Sequence, residues 1–147
     1  MVSDINSLYD EAASMGVKVY EARLPHCCQG IYDDDRRIIC LDQRMSQRQT
    51  LCTLQHELIH ARYRDVGCAG RNGVRNELRA QRETALALID PMGYRTAEQM
   101  YEGDKWLMSV ELGVTLQVLS DYQTLLREWC CQGHSLQQRY ADASVNA

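Results

Sequence analysis

Residues 56–60 read His56-Glu57-Leu58-Ile59-His60, and this pentad sets narrow terms for any fold that contains it. Two histidines four apart meet on one side of an α-helix, close enough for both imidazoles to hold a single metal ion. Glu57 points to nearly the same side, where it could take a proton from a water held by that ion. The chain must therefore build a helix that gives one face to packing and opens another to a cleft. The flanking residues agree. Ser46 and Gln49 form a capping box, Leu51, Leu54, Leu58 and Ala61 make the core face, and Cys52, His56 and His60 fall on a different stripe. The helix is expected to end near Tyr63.

On either side of it the periodicities predict an α+β fold. A first helix runs from Asp4 to Met15 with Ile5, Leu8, Ala12 and Met15 on one stripe, and Gly16 stops it. Val17 to Leu24 reads as a strand. Gly30-Ile31-Tyr32 leads into an Asp33-Asp34-Asp35 turn, and Arg37 to Leu41 returns as a second isoleucine-rich strand. A small antiparallel sheet is thus expected ahead of the motif helix. A loop with three glycines, Asp65 to Gly73, should be the most flexible interior segment. A helix over Val74 to Ile89 follows, with Leu78, Ala85, Leu88 and Ile89 as its core, and Asp90-Pro91 stops it. Thr96 with Gln99 opens a short helix ending near Gly103. Asp104 caps the next as far as Gly113, and Thr115 caps a long one carrying Leu116, Leu119, Tyr122, Leu126 and Trp129. Residues 1–133 form one domain, with 104–130 as a helical C-terminal subregion, and 134–147 are a polar, frayed tail.

Composition narrows the function. At 147 residues, with 45% apolar and 24% charged residues, the chain is long enough for a real core and small for a protease. A net charge of −4 argues against direct nucleic-acid binding by phosphate neutralisation. No apolar run approaches membrane-spanning length, and the first residues lack a basic region followed by an apolar one, so a cytoplasmic protein is expected. The seven cysteines show no CxxC spacing and read as reduced, mostly buried thiols. By position, Cys40 and Cys52 flank the expected cleft.

Two histidines are too few for a stable catalytic metal site, which usually takes three protein ligands and leaves one position to water. Glu77 is the best-placed third ligand, because it shares a helical face with Ala80, Thr84 and Leu88, small and apolar neighbours that allow close approach to the motif helix. Glu83 lies about 240° around the helix from it, beside Arg79 and Arg82. Glu83, His26 or an outside ligand stay open as alternatives. The pentad also arises by chance, with its histidines paired to carboxylates as ordinary polar groups; the inward Glu77 and the preceding strands favour the metal. Zinc is the expected ion. In that reading Glu57 takes a proton from the acidified water and passes it to the leaving amine. The strand Ile38-Ile39-Cys40-Leu41 would be a sheet edge for an extended substrate. Tyr32, Arg62 and Tyr94 are the candidates for stabilising the oxyanion.

The run Gln55 to Ala61, preceded by Gly30-Ile31-Tyr32 and Ile38 to Asp42, resembles the ImmA/IrrE metallopeptidases of phages and mobile elements. Glu77-Leu78-Arg79-Ala80, followed by Ala85 and Leu88-Ile89, is similar to the second signature of that family, in its actinobacterial form. The resemblance covers roughly residues 17–126. It departs at Ile59, where glycine is frequent, and at Glu83 and Thr84, where aliphatic and small apolar residues are usual. It implies a gluzincin-like fold, His56, His60 and Glu77 as zinc ligands, Glu57 as catalytic base, and a helix-turn-helix transcriptional repressor as the protein substrate.

A different class competes. Ser109 to Thr115, with Leu119, has the spacing of a helix-turn-helix, which would make the chain a DNA-binding regulator. The would-be recognition helix offers Gln117, Ser120 and Asp121, and no basic residue before Arg127. A packing hairpin, or a surface for the repressor, fits that composition better. A non-catalytic zinc-binding scaffold that sequesters its partner is the third reading.

Overall fold

Helix α1 (Ile5–Ser14) opens under Asp4, whose carboxylate accepts from the backbone N–H groups of Asn6 and Ser7. It buries Leu8 and Ala12 and ends where Gly16, at φ 68°, turns the chain into the sheet. The computed structural model describes residues 4–67 and 70–133. Among these residues the order continues as β1 (Lys18–Ala22), β2 (Gly30–Asp33), β3 (Ile38–Asp42), α2 (Gln47–Tyr63), α3 (Gly70–Leu88), α4 (Pro91–Met100), α5 (Lys105–Glu111) and α6 (Leu116–Cys131). The fold is α+β, with six helices and one small sheet.

That sheet is mixed, which corrects the antiparallel expectation. Its strand order is β1-β3-β2, with β3 parallel to β1 (Tyr20 opposite Cys40) and antiparallel to β2 (Ile31 opposite Cys40). The turn after Asp33 sends the chain straight back along β2. There the Asp33 carboxylate accepts from the Arg36 N–H, and Arg37 takes φ 54°. The returning strand carries Ile39 and Leu41, both fully buried, and fills the central position. β3 is therefore no edge; the edges are β1 and β2.

Helix α2 lies between two apolar cores. Leu54, Leu58 and Ala61 pack with Leu8, Ile39 and Leu41 towards the sheet and α1. On the other side Cys52 joins Leu88, Tyr94, Met108, Leu119 and Tyr122 among the C-terminal helices. The capping box forms as expected: the Ser46 hydroxyl accepts from the Gln49 N–H at 3.3 Å, and the Ser46 N–H donates to the Gln49 side chain at 2.9 Å. Arg37 ties the far end down, donating to the carbonyls of Ala61 and Met15.

Several other boundaries differ from expectation. α3 begins at Gly70, so helix takes up the last part of the expected loop. Leu78, expected in the core, is 46% exposed, and Leu116 is exposed as well. Asp90-Pro91 does not merely end a helix: Asp90 accepts from the Gly93 N–H and Pro91 is the first residue of α4. Thr96 lies inside that helix, bonded to the Met92 carbonyl, and the helix ends at Met100. The caps at Asp104 and Thr115 are where the sequence puts them. Cys68, His134 and the expected tail 134–147 lie outside the described residues. Among the described residues no helix is long and apolar enough to cross a membrane.

Candidate metal centre

α2 and α3 pack closely because α3 turns Ala80 and Thr84, both buried, towards the molecule's interior. Glu77, on that face, then reaches both histidines of α2. Its two carboxylate oxygens lie 3.1 Å from His56 Nε2 and 3.3 Å from His60 Nε2, and the two Nε2 atoms are 3.1 Å apart. Tetrahedral coordination with bonds of 2.0–2.1 Å requires neighbouring donors about 3.3 Å apart, a spacing that the two Nε2 atoms and each imidazole's nearer Glu77 oxygen approach. Two imidazoles and a carboxylate also form a donor set that leaves the fourth position open. Among the described residues, His56, His60 and Glu77 form a group that could hold a metal ion.

The alternative ligands sit elsewhere. Glu83 accepts from the Tyr63 hydroxyl at 2.7 Å and faces Arg62. His26 is exposed at the cleft's rim, with Nδ1 3.3 Å from Arg44.

Behind the ligands stands a support that the sequence reading missed. His60 Nδ1 lies 2.8 Å from a carboxylate oxygen of Asp65, and Arg79 donates to both oxygens of Asp65 at 2.7 and 2.8 Å. The Arg79 guanidinium in turn stacks over the Tyr63 ring at 3.8 Å. Asp65 thereby holds the proton on Nδ1 and leaves Nε2 free to ligate. The sequence signal was a carboxylate five residues beyond the second histidine, just past the helix end. In the sequence that carboxylate falls at the start of the glycine-rich loop, and Arg79 falls beside Glu83 on a charged face.

Electrostatics follow from these contacts. Hydrogen bonds from His56 and His60 hold the Glu77 carboxyl far below the usual range. Burial opposes a charge on His60, but its bonds to Glu77 and Asp65 outweigh burial and raise its pKa to about 8. Burial pushes the Glu57 carboxyl up, against the pull of His56, His60 and the Tyr32 N–H. Glu57 is a buried carboxylate beside the three donors, as a proton-transferring group requires. Strand β2 passes directly over it: a Cβ on Gly30 would come within 2.5 Å of Thr53 Cγ2 and 3.2 Å of Glu57 Cγ.

His56, Glu57 and Glu77 line a cavity of about 420 Å³ between the 26–30 segment and helices α2, α3 and α6. Gln81 and Thr84 line it from α3, and Gln117, Val118 and Asp121 from α6. The would-be recognition residues Gln117 and Asp121 thus face the metal-ligand group. None of the expected oxyanion partners lines this cavity. Tyr32 donates to Asp34, Arg62 pairs with Glu11, and Tyr94 is buried with its hydroxyl bonded to Glu98. Of the two cysteines expected to flank the cleft, Cys52 lines it and Cys40 does not; Cys27 and Cys28 are at its rim instead. Burial raises the thiol pKa of both Cys52 and Cys28.

Compared with known proteins, the chain matches no family model, no curated protein and no solved structure.

Proposed function

We propose that this chain is a zinc metallo-endopeptidase of the gluzincin type, with His56, His60 and Glu77 as ligands and Glu57 as catalytic base. The observation that carries the reading is the convergence of two imidazole nitrogens on the two oxygens of one carboxylate, at 3.1–3.3 Å, beside a buried glutamate. Zinc suits two imidazoles and a carboxylate with an open position, and when bound it supplies a water acidified to about neutral pH and a Lewis acid for a carbonyl oxygen. Glu57 takes the proton of the attacking water, and its burial favours holding that proton. It then delivers the proton to the departing amine. The free edge of β2, which borders Glu57, offers backbone groups to an extended substrate segment, in place of the β3 edge that the sequence suggested.

The resemblance to the ImmA/IrrE metallopeptidases supports a helix-turn-helix repressor as the substrate, and a role in switching a phage or mobile element. That part rests on analogy between families. The DNA-binding alternative loses support, since Gln117 and Asp121 line the cavity rather than a free helix face. Replacing Glu57 with Gln separates the peptidase from a zinc scaffold. Zinc content should stay at about one per chain, because the ligands remain. Hydrolysis of a candidate repressor, followed by mass spectrometry, should fall at least about a hundredfold. Undiminished cleavage by E57Q would contradict the assignment of the base.

A further inference from the structure

The cavity carries more negative charge than its metal site needs. Among the described residues three carboxylates line it, Glu57, Glu77 and Asp121, and no lysine or arginine does. A divalent ion on His56, His60 and Glu77 would offset Glu77 and Glu57. Asp121 would remain, half-buried in a concave site where burial and Glu77 push its carboxyl pKa up for want of a compensating charge. Its neighbours do not neutralise it. Asp121 accepts one hydrogen bond, from Gln117 Nε2 at 2.9 Å. Three arginines of the flanking helices are engaged elsewhere: Arg79 with Asp65, Arg82 with Glu128, and Arg127 with the Thr124 hydroxyl.

A second observation on the same side of the cavity is independent of charge. Thr84 lines the wall, is only 2% exposed, and its hydroxyl has no hydrogen-bond partner among the described residues. A buried hydroxyl without a partner is costly, by about 1–3 kcal/mol, and native structures rarely leave one without a reason. Gln81 and Gln117 use their amide N–H groups on Glu77 and Asp121, which leaves their carbonyl oxygens as further acceptors. With the Asp121 carboxylate they make this wall rich in acceptors, and it bears no formal positive charge among the described residues. An apolar side chain placed against it would bury Asp121 without a counter-charge, and an acidic one would be repelled.

We infer that the α3–α6 wall of the cavity, built on Thr84 and Asp121, is a specificity pocket for a basic side chain, arginine or lysine, next to the bond presented to the metal. The inference rests on the metal site proposed above but not on turnover, and it can be tested without turnover. The probes are N-acetyl-arginine, N-acetyl-norleucine and N-acetyl-glutamate hydroxamates, which share one metal-binding group and differ in the side chain. Each is titrated calorimetrically into the zinc-loaded full chain. The arginine compound should bind about tenfold or more tighter than norleucine, with glutamate weakest. In Asp121→Asn the arginine-to-norleucine ratio should fall to within about threefold, and in Asp121→Lys the order of arginine and glutamate should reverse. Thr84→Val should also reduce the ratio. Equal binding of all three compounds by the zinc-loaded wild type, or a ratio unchanged in D121N, would overturn the pocket and leave the metal site standing. A chain that takes up no zinc overturns both.

Discussion

At the scale of single residues, the site depends on who holds whom. His60 is fixed from two sides, by Glu77 at Nε2 and by Asp65 at Nδ1, and Asp65 is itself clamped by Arg79. If His60 is a zinc ligand as proposed, Asp65 orients it without touching the ion, and Asp65→Ala should weaken zinc binding by about 10–100-fold while the fold stays intact. Competition with a chromophoric chelator measures this, and wild-type affinity in D65A would contradict the role. The proton balance gives a second expectation. His60 has its pKa raised to about 8, so it is mostly charged at pH 7 and must lose its proton to ligate. Zinc uptake should therefore release close to one proton from this group at pH 7 and almost none at pH 9, and apparent affinity should rise between those values. Calorimetry in buffers of different ionisation heat reads the proton number directly; no proton release at pH 7 would show that His60 is neutral there. His56, Glu57, His60 and Glu77 were legible in the sequence because helical spacing fixes which side chains share a face. Asp65 and Arg79 were not, since a residue past a helix end has no periodicity to give it a direction.

At the scale of elements, local chemistry was legible and pairing was not. The caps at Ser46, Asp104 and Thr115 depend on groups two or three residues away, and each forms as read. Strand order depends on partners distant in sequence: β1 pairs with a strand some twenty residues later, and nothing in Lys18–Ala22 names that partner. Asp90-Pro91 suits the end of one helix and the start of another equally, and the structure uses it for both, with α3 ending at Leu88 and α4 beginning at Pro91. The close passage of β2 over α2 is the element-level feature that most concerns function. Gly30→Val would drive a side chain into Thr53 and Glu57. We expect a loss of about 1–3 kcal/mol in stability by denaturant titration. Peptide hydrolysis should fall more than zinc content does, because the atoms nearest the added side chain belong to Thr53 and Glu57 and to none of the proposed ligands. A G30V chain with wild-type hydrolysis would show that Glu57 tolerates displacement of the strand above it.

For the whole molecule, the arrangement reads as one motif helix held rigid so that another face can stay open. α2 is packed towards the sheet by Leu54, Leu58 and Ala61 and joined to the helical core through Cys52. α3 and α6 close the remaining sides of the cavity. Preorganisation of this kind is what a metal centre needs, since ligands that are already in place lose little freedom on binding. The claim on which the rest depends is that His56, His60 and Glu77 bind zinc, and elemental analysis of the purified, reduced chain tests it most directly. About one zinc per wild-type chain, and well below one in Glu77→Gln, is the predicted result for a three-ligand site. A wild-type chain that holds no zinc after it is supplied, or an E77Q chain that holds as much as wild type, would contradict it.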